Sequence, residues 1–269
     1  MTARLRMQRY MTGNISRRFW RVWQRNFKVY QRNWLVNFIP PLLEPLLYLM
    51  AFGVGLNQLI GDIDYHGMRL SYAAFIAPGL LAINMMNNAF YENTYGSFVR
   101  MYYQKTFDAM MATPLNLPEI ITGEIIWGAT KSVIATSIML CVVSLFGFVR
   151  YPAGFLIIPL AFVGGMAFGS LAMYFTGTVQ NIEIFNLPIF LFITPMFLFS
   201  GTFFPVETLP SWAQSLSIIF PLTHLVNLTR CFCLDVYDGQ VLSGMVFILI
   251  FILIFYPLAI ARMRSRLIK

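Results

Sequence analysis

"IITGEIIWGATKSVIATSIMLCVVSLFGF", residues 120–148, is apolar along nearly its whole length and carries only two charges, Glu124 and Lys131. A helix rises about 1.5 Å per residue and a bilayer core is about 30 Å thick, so about 20 mostly apolar residues suffice to cross. This run exceeds that length, and five others match it: Leu35 to Leu56, Tyr72 to Tyr95, Ala153 to Thr178, Ile184 to Ser200 and Val241 to Ala261. The chain of 269 residues is 58% hydrophobic and 11% charged, against roughly 25% charged in an ordinary soluble domain. Its mean hydropathy is +0.67. The pattern predicts an all-α integral membrane protein with six transmembrane helices.

The net charge of +8 could point to nucleic acid, but its distribution excludes that partner. Arg4, Arg6, Arg9, Arg17, Arg18, Arg21, Arg25, Lys28 and Arg32 precede the first run, and Arg262, Arg264, Arg266 and Lys269 follow the last. Adding Arg100 and Lys105 puts 15 basic residues on one side of the membrane, against Arg69, Arg150 and Arg230 on the other. That asymmetry predicts both termini in the cytoplasm. The basic, aromatic first 30 residues contain no apolar core of a cleavable signal, so the first span is expected to direct insertion.

Ahead of the first span, "SRRFWRVWQRNFKVYQRNW" (16–34) repeats aromatics at three- and four-residue steps among arginines. This is the pattern of an amphipathic interfacial helix, either a membrane anchor or a brace for a cytoplasmic partner. Between spans five and six, "WAQSLSIIFPLTHLVNLT" (212–229) is apolar but broken by Pro221. Because a proline frees backbone groups that lipid cannot satisfy, the segment from about 201 to 230 is read as an outer re-entrant or interface-lying helical hairpin, with a seventh span as the alternative. The layout is then a basic segment, 1–34, one transmembrane domain, 35–262, and a basic tail, 263–269.

Catalytic parts are missing. "GATKS" (128–132) lacks the glycine before lysine that a phosphate-binding loop needs, and it lies in an apolar helix. "LSGM" (242–245) begins like a nucleotide-binding signature yet opens a span. His66 and His224 are the only imidazoles, and HExxH and GxSxG are absent. No catalytic or metal-binding residue and no cofactor of its own is assigned. Cys141 is expected to be buried in its span, and Cys231 and Cys233 are too close for an easy mutual bridge.

Charges inside a membrane cost about 2.5–3.5 kcal/mol on insertion scales, which makes Glu44, Glu92, Glu124 and Lys131 candidates for function. Glu44 stands among prolines in "NFIPPLLEPLLYL" (37–49) and is read as facing a polar pathway or as making a structural hydrogen bond to a neighbouring helix. Glu124 and Lys131 are two turns apart, about 10 Å along the axis, so each is expected to face another helix. Glu92 is expected to snorkel from the end of its span. Gly165 and Gly169 in "GGMAFGS" (164–170) have the spacing that lets helices approach closely, within the monomer first of all.

The loop after span two, "RMYYQKTFDAMMATPLNLPE" (100–119), holds Phe98, Met101, Tyr102, Phe107, Met110 and Met111 at or beside it. These side chains are too apolar for a solvated loop. They predict a short helix seated in a partner's groove or on the membrane surface.

Seven blocks in order resemble the membrane subunits of type-2 ABC exporters, in particular the branch that exports nodulation lipochitooligosaccharides. They are "WRVWQRNFKVY", "EPLLYLMAFGVGL", "ENTYGSFVRM", "TFDAMMATPL", "GEIIWGATKS", "FSGTFFPVETLP" and "FPLTHLVNLTR". The resemblance implies a permease without its own ATPase site, pairing with a second copy and with two ATPase subunits that carry ATP and Mg. It implies a coupling helix at about 97–116, with Arg100, Phe107, Asp108, Met111 and Pro114 as partner contacts. Glu44 stands where that family often has aspartate before proline. Glu44, Tyr91, Tyr95, Phe203 and Phe204 are expected along the pathway of an amphipathic substrate, a lipooligosaccharide or lipid-linked glycan, through a bacterial inner membrane. Export of hydrophobic drugs is the alternative within the class; an ATP-independent transporter or channel using Glu44, Glu124 and Lys131 is the alternative outside it.

Overall fold

The computed structural model describes residues 15–56, 61–65, 67–237 and 239–268. Arg4, Arg6, Arg9, His66, Lys269 and the first part of the 1–34 segment lie outside the described residues. Among the described residues, six helical stretches are long and apolar enough to cross a membrane: Trp34–Phe52, Tyr72–Tyr103, Leu117–Leu145, Ala153–Thr178, Ile182–Phe199 and Val241–Leu267. They are called spans one to six below. Helix α1, Phe19–Arg32, precedes them. Helix α2, Thr106–Met111, sits between spans two and three. Helices α3, Ser211–Ile219, and α4, Pro221–Leu234, lie between spans five and six and bend by 86° at Phe220. Pro221 opens α4, where its missing N–H costs nothing. The bent pair lies where the hairpin was expected, and its two arms together are long and apolar enough to be one broken span or a re-entrant loop.

Two short antiparallel strands, β1 Ile63–Tyr65 and β2 Met68–Leu70, lead into span two. The turn at Gly67 has φ +75°, a conformation that favours glycine.

Two spans run past their predicted ends. Span two continues to Tyr103 through π-helical turns at Glu92–Gly96 and Val99–Tyr103, so residues 97–103 of the expected loop helix belong to the span. Span six continues to Leu267 and carries Arg262, Arg264 and Arg266 on its last turns. Arg266 donates to the carbonyls of Thr176 and Val179, capping the end of span four where helix carbonyls lack partners.

Spans two, three and four form the centre, and small residues set their distance. A Cβ on Gly165 would lie 2.7 Å from the Ala129 Cα, and one on Gly128 would lie 1.7 Å from Asn93 Nδ2. Gly169 packs on Ile125 and Asn93. The GxxxG pair therefore serves contacts within this chain. Cys141 corrects an expectation: its side chain is exposed on span three, because a helix apolar on every side gives no sign of which face turns inward. Cys231 and Cys233 are buried and are not joined in a disulfide.

Candidate functional site

Helix α1 is seated on span three. Val22 and Asn26 are its buried residues, and Gly123 leaves room for it: a Cβ there would be 2.6 Å from the Val22 Cβ and 2.8 Å from the Phe19 carbonyl. Trp23 Nε1 donates to Thr130 Oγ1 at 2.9 Å, and Tyr30 meets Trp127 edge to face at 5.5 Å between centroids. Farther toward the N-terminus, Ser16 Oγ donates to Glu119 Oε1, and Arg18 Nη1 donates to the Pro114 carbonyl at 2.8 Å. Glu119 also accepts the Asn116 N–H at 2.8 Å, the capping box that starts span three. The helix expected at the membrane surface is thus held by contacts with span three.

Beneath α1 lies a network of buried charge. Arg100 donates through Nε and Nη2 to Glu124 Oε2 at 2.9 and 2.6 Å, and through Nη1 to Glu92 Oε1 at 2.7 Å. Lys131 Nζ donates to Glu92 Oε2 at 3.0 Å, and Trp127 Nε1 to Glu92 Oε1 at 3.0 Å. Asn26 Nδ2 and Ser97 Oγ donate to the two oxygens of Glu124 at 2.8 Å each. Two carboxylates and two cations balance, and nearly every lone pair has a donor, which is what buried ions require. The π-helical turns of span two bring Glu92 and Arg100, eight residues apart, to each other, and Gly96 between them matters. A Cβ there would sit 3.1 Å from Glu92 Oε1 and 3.3 Å from Arg100 Nη1. Beside the network, burial holds the Arg25 guanidinium below its ordinary value, with Glu124 opposing that shift.

The expectation that Glu124 and Lys131 each face another helix holds, since both bond to span two. Glu92 does not snorkel; it is buried between two cations because Arg100 and Lys131 reach it from either side. Arg100 turns inward and is not on a partner-facing surface.

Lys105, in the left-handed conformation at φ 53°, breaks span two from α2. Phe107 and Met110 are buried in a cluster with Val22, Phe98, Leu117 and Phe185. The apolarity that suggested a partner's groove is therefore satisfied within this chain for Phe98, Met101, Phe107 and Met110. Tyr102, Asp108, Ala109, Ala112 and Pro114 are exposed, and Met111 is half-buried. Helix α2 is thus pinned by one face and presents the other.

The expected pathway residues form two groups at opposite ends of span two. Tyr91 and Tyr95, 6.1 Å apart between rings, adjoin the charge network. A cleft of about 470 Å3 there is lined by Glu44, Asn87, Asn88, Tyr91, Glu92, Gly96 and Lys131. Phe203 packs on Phe52 and Phe197 at 5.6 and 5.2 Å, and Phe204 is exposed beside it. At that far end Arg230, counted above as an outer charge, is buried: its guanidinium lies 4.1 Å over Phe75 and donates to the Gly201 carbonyl at 2.9 Å.

Sequence reading missed Asn26, Ser97, Trp127, Asn87 and Asn88. Asn26 was visible as a polar residue one turn from Val22 on the apolar face of α1. The cluster "INMMNNAF" (83–90) was visible as three amides in an otherwise apolar span.

Comparison with known proteins agrees with this architecture. The chain is 33% identical over 248 residues to Nodulation protein J of Rhizobium leguminosarum bv. trifolii, covering 92% of this chain and 93% of that one. It is 32% identical over 248 residues to Nodulation protein J of Sinorhizobium fredii, covering 92% and 93%. It is 27% identical over 238 residues to the inner membrane transport permease YadH of Escherichia coli, covering 87% and 90%. The profile of the ABC-2 type transporter family matches residues 17–232, and with six spans in one helical bundle the chain belongs to that family, as a membrane transport subunit.

Proposed function

We propose that this permease exports an amphipathic substrate, a lipooligosaccharide or lipid-linked glycan, with energy from two separate ABC ATPase subunits that bind ATP and Mg. Two copies form the pathway across a bacterial inner membrane. Both termini face the cytoplasm, in keeping with α1, α2 and the arginines of span six gathering at one end. The observation that carries this reading is the construction of α2. Phe107 and Met110 fix it to the body, and the face bearing Asp108, Ala109 and Ala112 is left for a partner. Arg100, four residues after Gly96, ties the end of span two just ahead of α2 to span three through Glu124. A push on α2 from an ATPase that closes on ATP then reaches spans two and three through ion pairs, not through a slack loop. An ion-channel reading fits less well, because Glu124 and Lys131 are engaged with Arg100 and Glu92.

The test is co-purification from the protein's own cells with the variant Asp108→Arg, Ala112→Glu. We expect loss of the associated ATPase and of ATP-dependent export, with the thermal unfolding midpoint of the permease unchanged. Vesicles containing this chain alone that move an amphiphile down an ion gradient would sink the reading.

A further inference from the structure

Helix α1 carries Arg21, Arg25, Lys28 and Arg32 at steps of four, three and four residues, which places all four cations on one face. None of them has a carboxylate within ion-pair distance among the described residues, and the first 14 residues of the chain contain no Asp or Glu. Glu92 and Glu124 are paired with Arg100 and Lys131, and Glu119 accepts from Ser16 and Asn116. The positive face of α1 therefore has no counter-ion among the described residues.

Arg25 is the cation of that face that the fold holds in place. It donates through Nη1 to Asn26 Oδ1 at 2.9 Å, and the buried Asn26 gives its own Nδ2 to Glu124 at 2.8 Å. The guanidinium keeps most of its N–H donors. It stands at the wall of a cleft of about 440 Å3 between α1, the start of span one, the end of span two and span three. Tyr30, Asn33, Asn37, Arg100 and Gln104 share that wall. The Tyr30 hydroxyl and the side-chain amides of Asn33 and Gln104 make no hydrogen bond among the described residues. Asn37 gives its Nδ2 to the Asn33 carbonyl at 2.9 Å and keeps its Oδ1. Because Arg100 and Lys131 balance Glu92 and Glu124, Arg25 is the charge left over.

The level of the cleft in the membrane decides what can fill it. Helix α1 ends at Arg32 and span one begins at Trp34. Exposed Trp20 and Trp34 mark the headgroup layer, and exposed Leu35, Val36 and Ile39 follow on span one. Basic residues just ahead of a span attract anionic lipid. A soluble phosphate would leave the apolar start of span one uncovered. The ammonium of a zwitterionic headgroup would meet Arg25 and Arg100 where both carboxylates are already taken.

We propose that this cleft binds an anionic phospholipid of the surrounding bilayer, with its phosphodiester on Arg25 and its headgroup hydroxyls on Tyr30, Asn33 and Gln104. The acyl chains lie along the exposed start of span one. The lipid is a resident of the permease and not its cargo, and it joins α1 to the end of span two just ahead of α2. The site does not depend on the export reading.

The test is native mass spectrometry of the delipidated full chain in detergent, titrated with phosphatidylglycerol or with phosphatidylcholine of the same acyl chains. The first phosphatidylglycerol is expected to bind about tenfold more tightly than the first phosphatidylcholine. Arg25→Gln should remove most of that preference, as the loss of a charge-assisted contact. Arg264→Gln, which removes the same charge outside the cleft, should change binding by less than about twofold. Asn33→Ala combined with Gln104→Ala should weaken phosphatidylglycerol about threefold to tenfold and leave the unfolding midpoint of the lipid-free chain unchanged. This pair keeps the test decisive if Arg25→Gln fails to fold, since neither amide is bonded within the fold. Equal binding of the two lipids, equal effects of Arg25→Gln and Arg264→Gln, or no effect of the amide pair overturns the proposal. Displacement of the lipid by an equal concentration of glycerol 3-phosphate also overturns it, because the site would then be one for a soluble phosphate.

Discussion

Spans one and two are both apolar helices with an acidic residue inside, yet the structure treats them oppositely. In span two's most apolar window 83% of residues are buried, against 12% in span one. Glu92 of span two is wrapped by Arg100, Lys131 and Trp127, whereas Glu44 of span one is bonded to no described residue. A carboxylate locked among cations can bear load but has nothing left to offer a ligand. One left open at a cleft costs stability in lipid and persists where it has work with something outside the chain.

Four sets of variants can break or sharpen that contrast. The largest effect belongs to the packed centre. Gly165→Leu drives a side chain into the Ala129 backbone, so its cost should exceed the about 1–3 kcal/mol of ordinary overpacking. Fluorescence-detected size exclusion should find no monodisperse protein. Next, Arg100→Met strands Glu124 and weakens Glu92, and should cost about 3–5 kcal/mol, read as a lowered unfolding midpoint in detergent. Adding Glu124→Gln should restore much of it, because Glu92 and Lys131 keep each other; no recovery would mean that the ion pairs do not govern this region. Third, Phe107→Ala should cost about 3 kcal/mol by emptying the seat of α2. Asp108→Ala on its exposed face should move the midpoint by no more than about 0.5 kcal/mol. If the two effects were equal, α2 would not be pinned as described. The smallest effect is expected for Glu44→Gln, within about 0.5 kcal/mol, since no bond within the fold is lost. A large destabilisation there would show that span one is held much as span two is.

The spans and the hairpin were legible because length, apolarity and a proline are local properties. Pro221 marks the place of the break, which the structure bends by 86°. Pairing was not legible: Arg100 finds Glu124 24 residues on and Lys131 finds Glu92 39 residues back, and no periodicity in either helix encodes the other's rotation. Phe107 illustrates a second limit. An apolar residue in a loop signals that something covers it, but the signal is the same whether the cover is a partner or the chain's own core. Cys141 illustrates a third, because on a helix with little amphipathicity the buried and lipid-facing sides read alike. The cleft was half legible: Glu44 and Tyr91 drew notice by type, while Asn87 and Asn88 needed the geometry that sets them opposite an unpaired carboxylate.

The bonds from Ser16 to Glu119 join positions 103 residues apart. A chain grows at about 5–20 residues per second, so α1 leaves the ribosome several seconds before the start of span three exists to receive it. During that interval its stacked Trp20, Trp23 and Phe27 have only the membrane surface to cover them. An amphipathic pattern suits both covers in turn, a membrane surface and then span three. The order of synthesis makes the seating of α1 a late event, one that reports that two spans and the loop between them have already found their places.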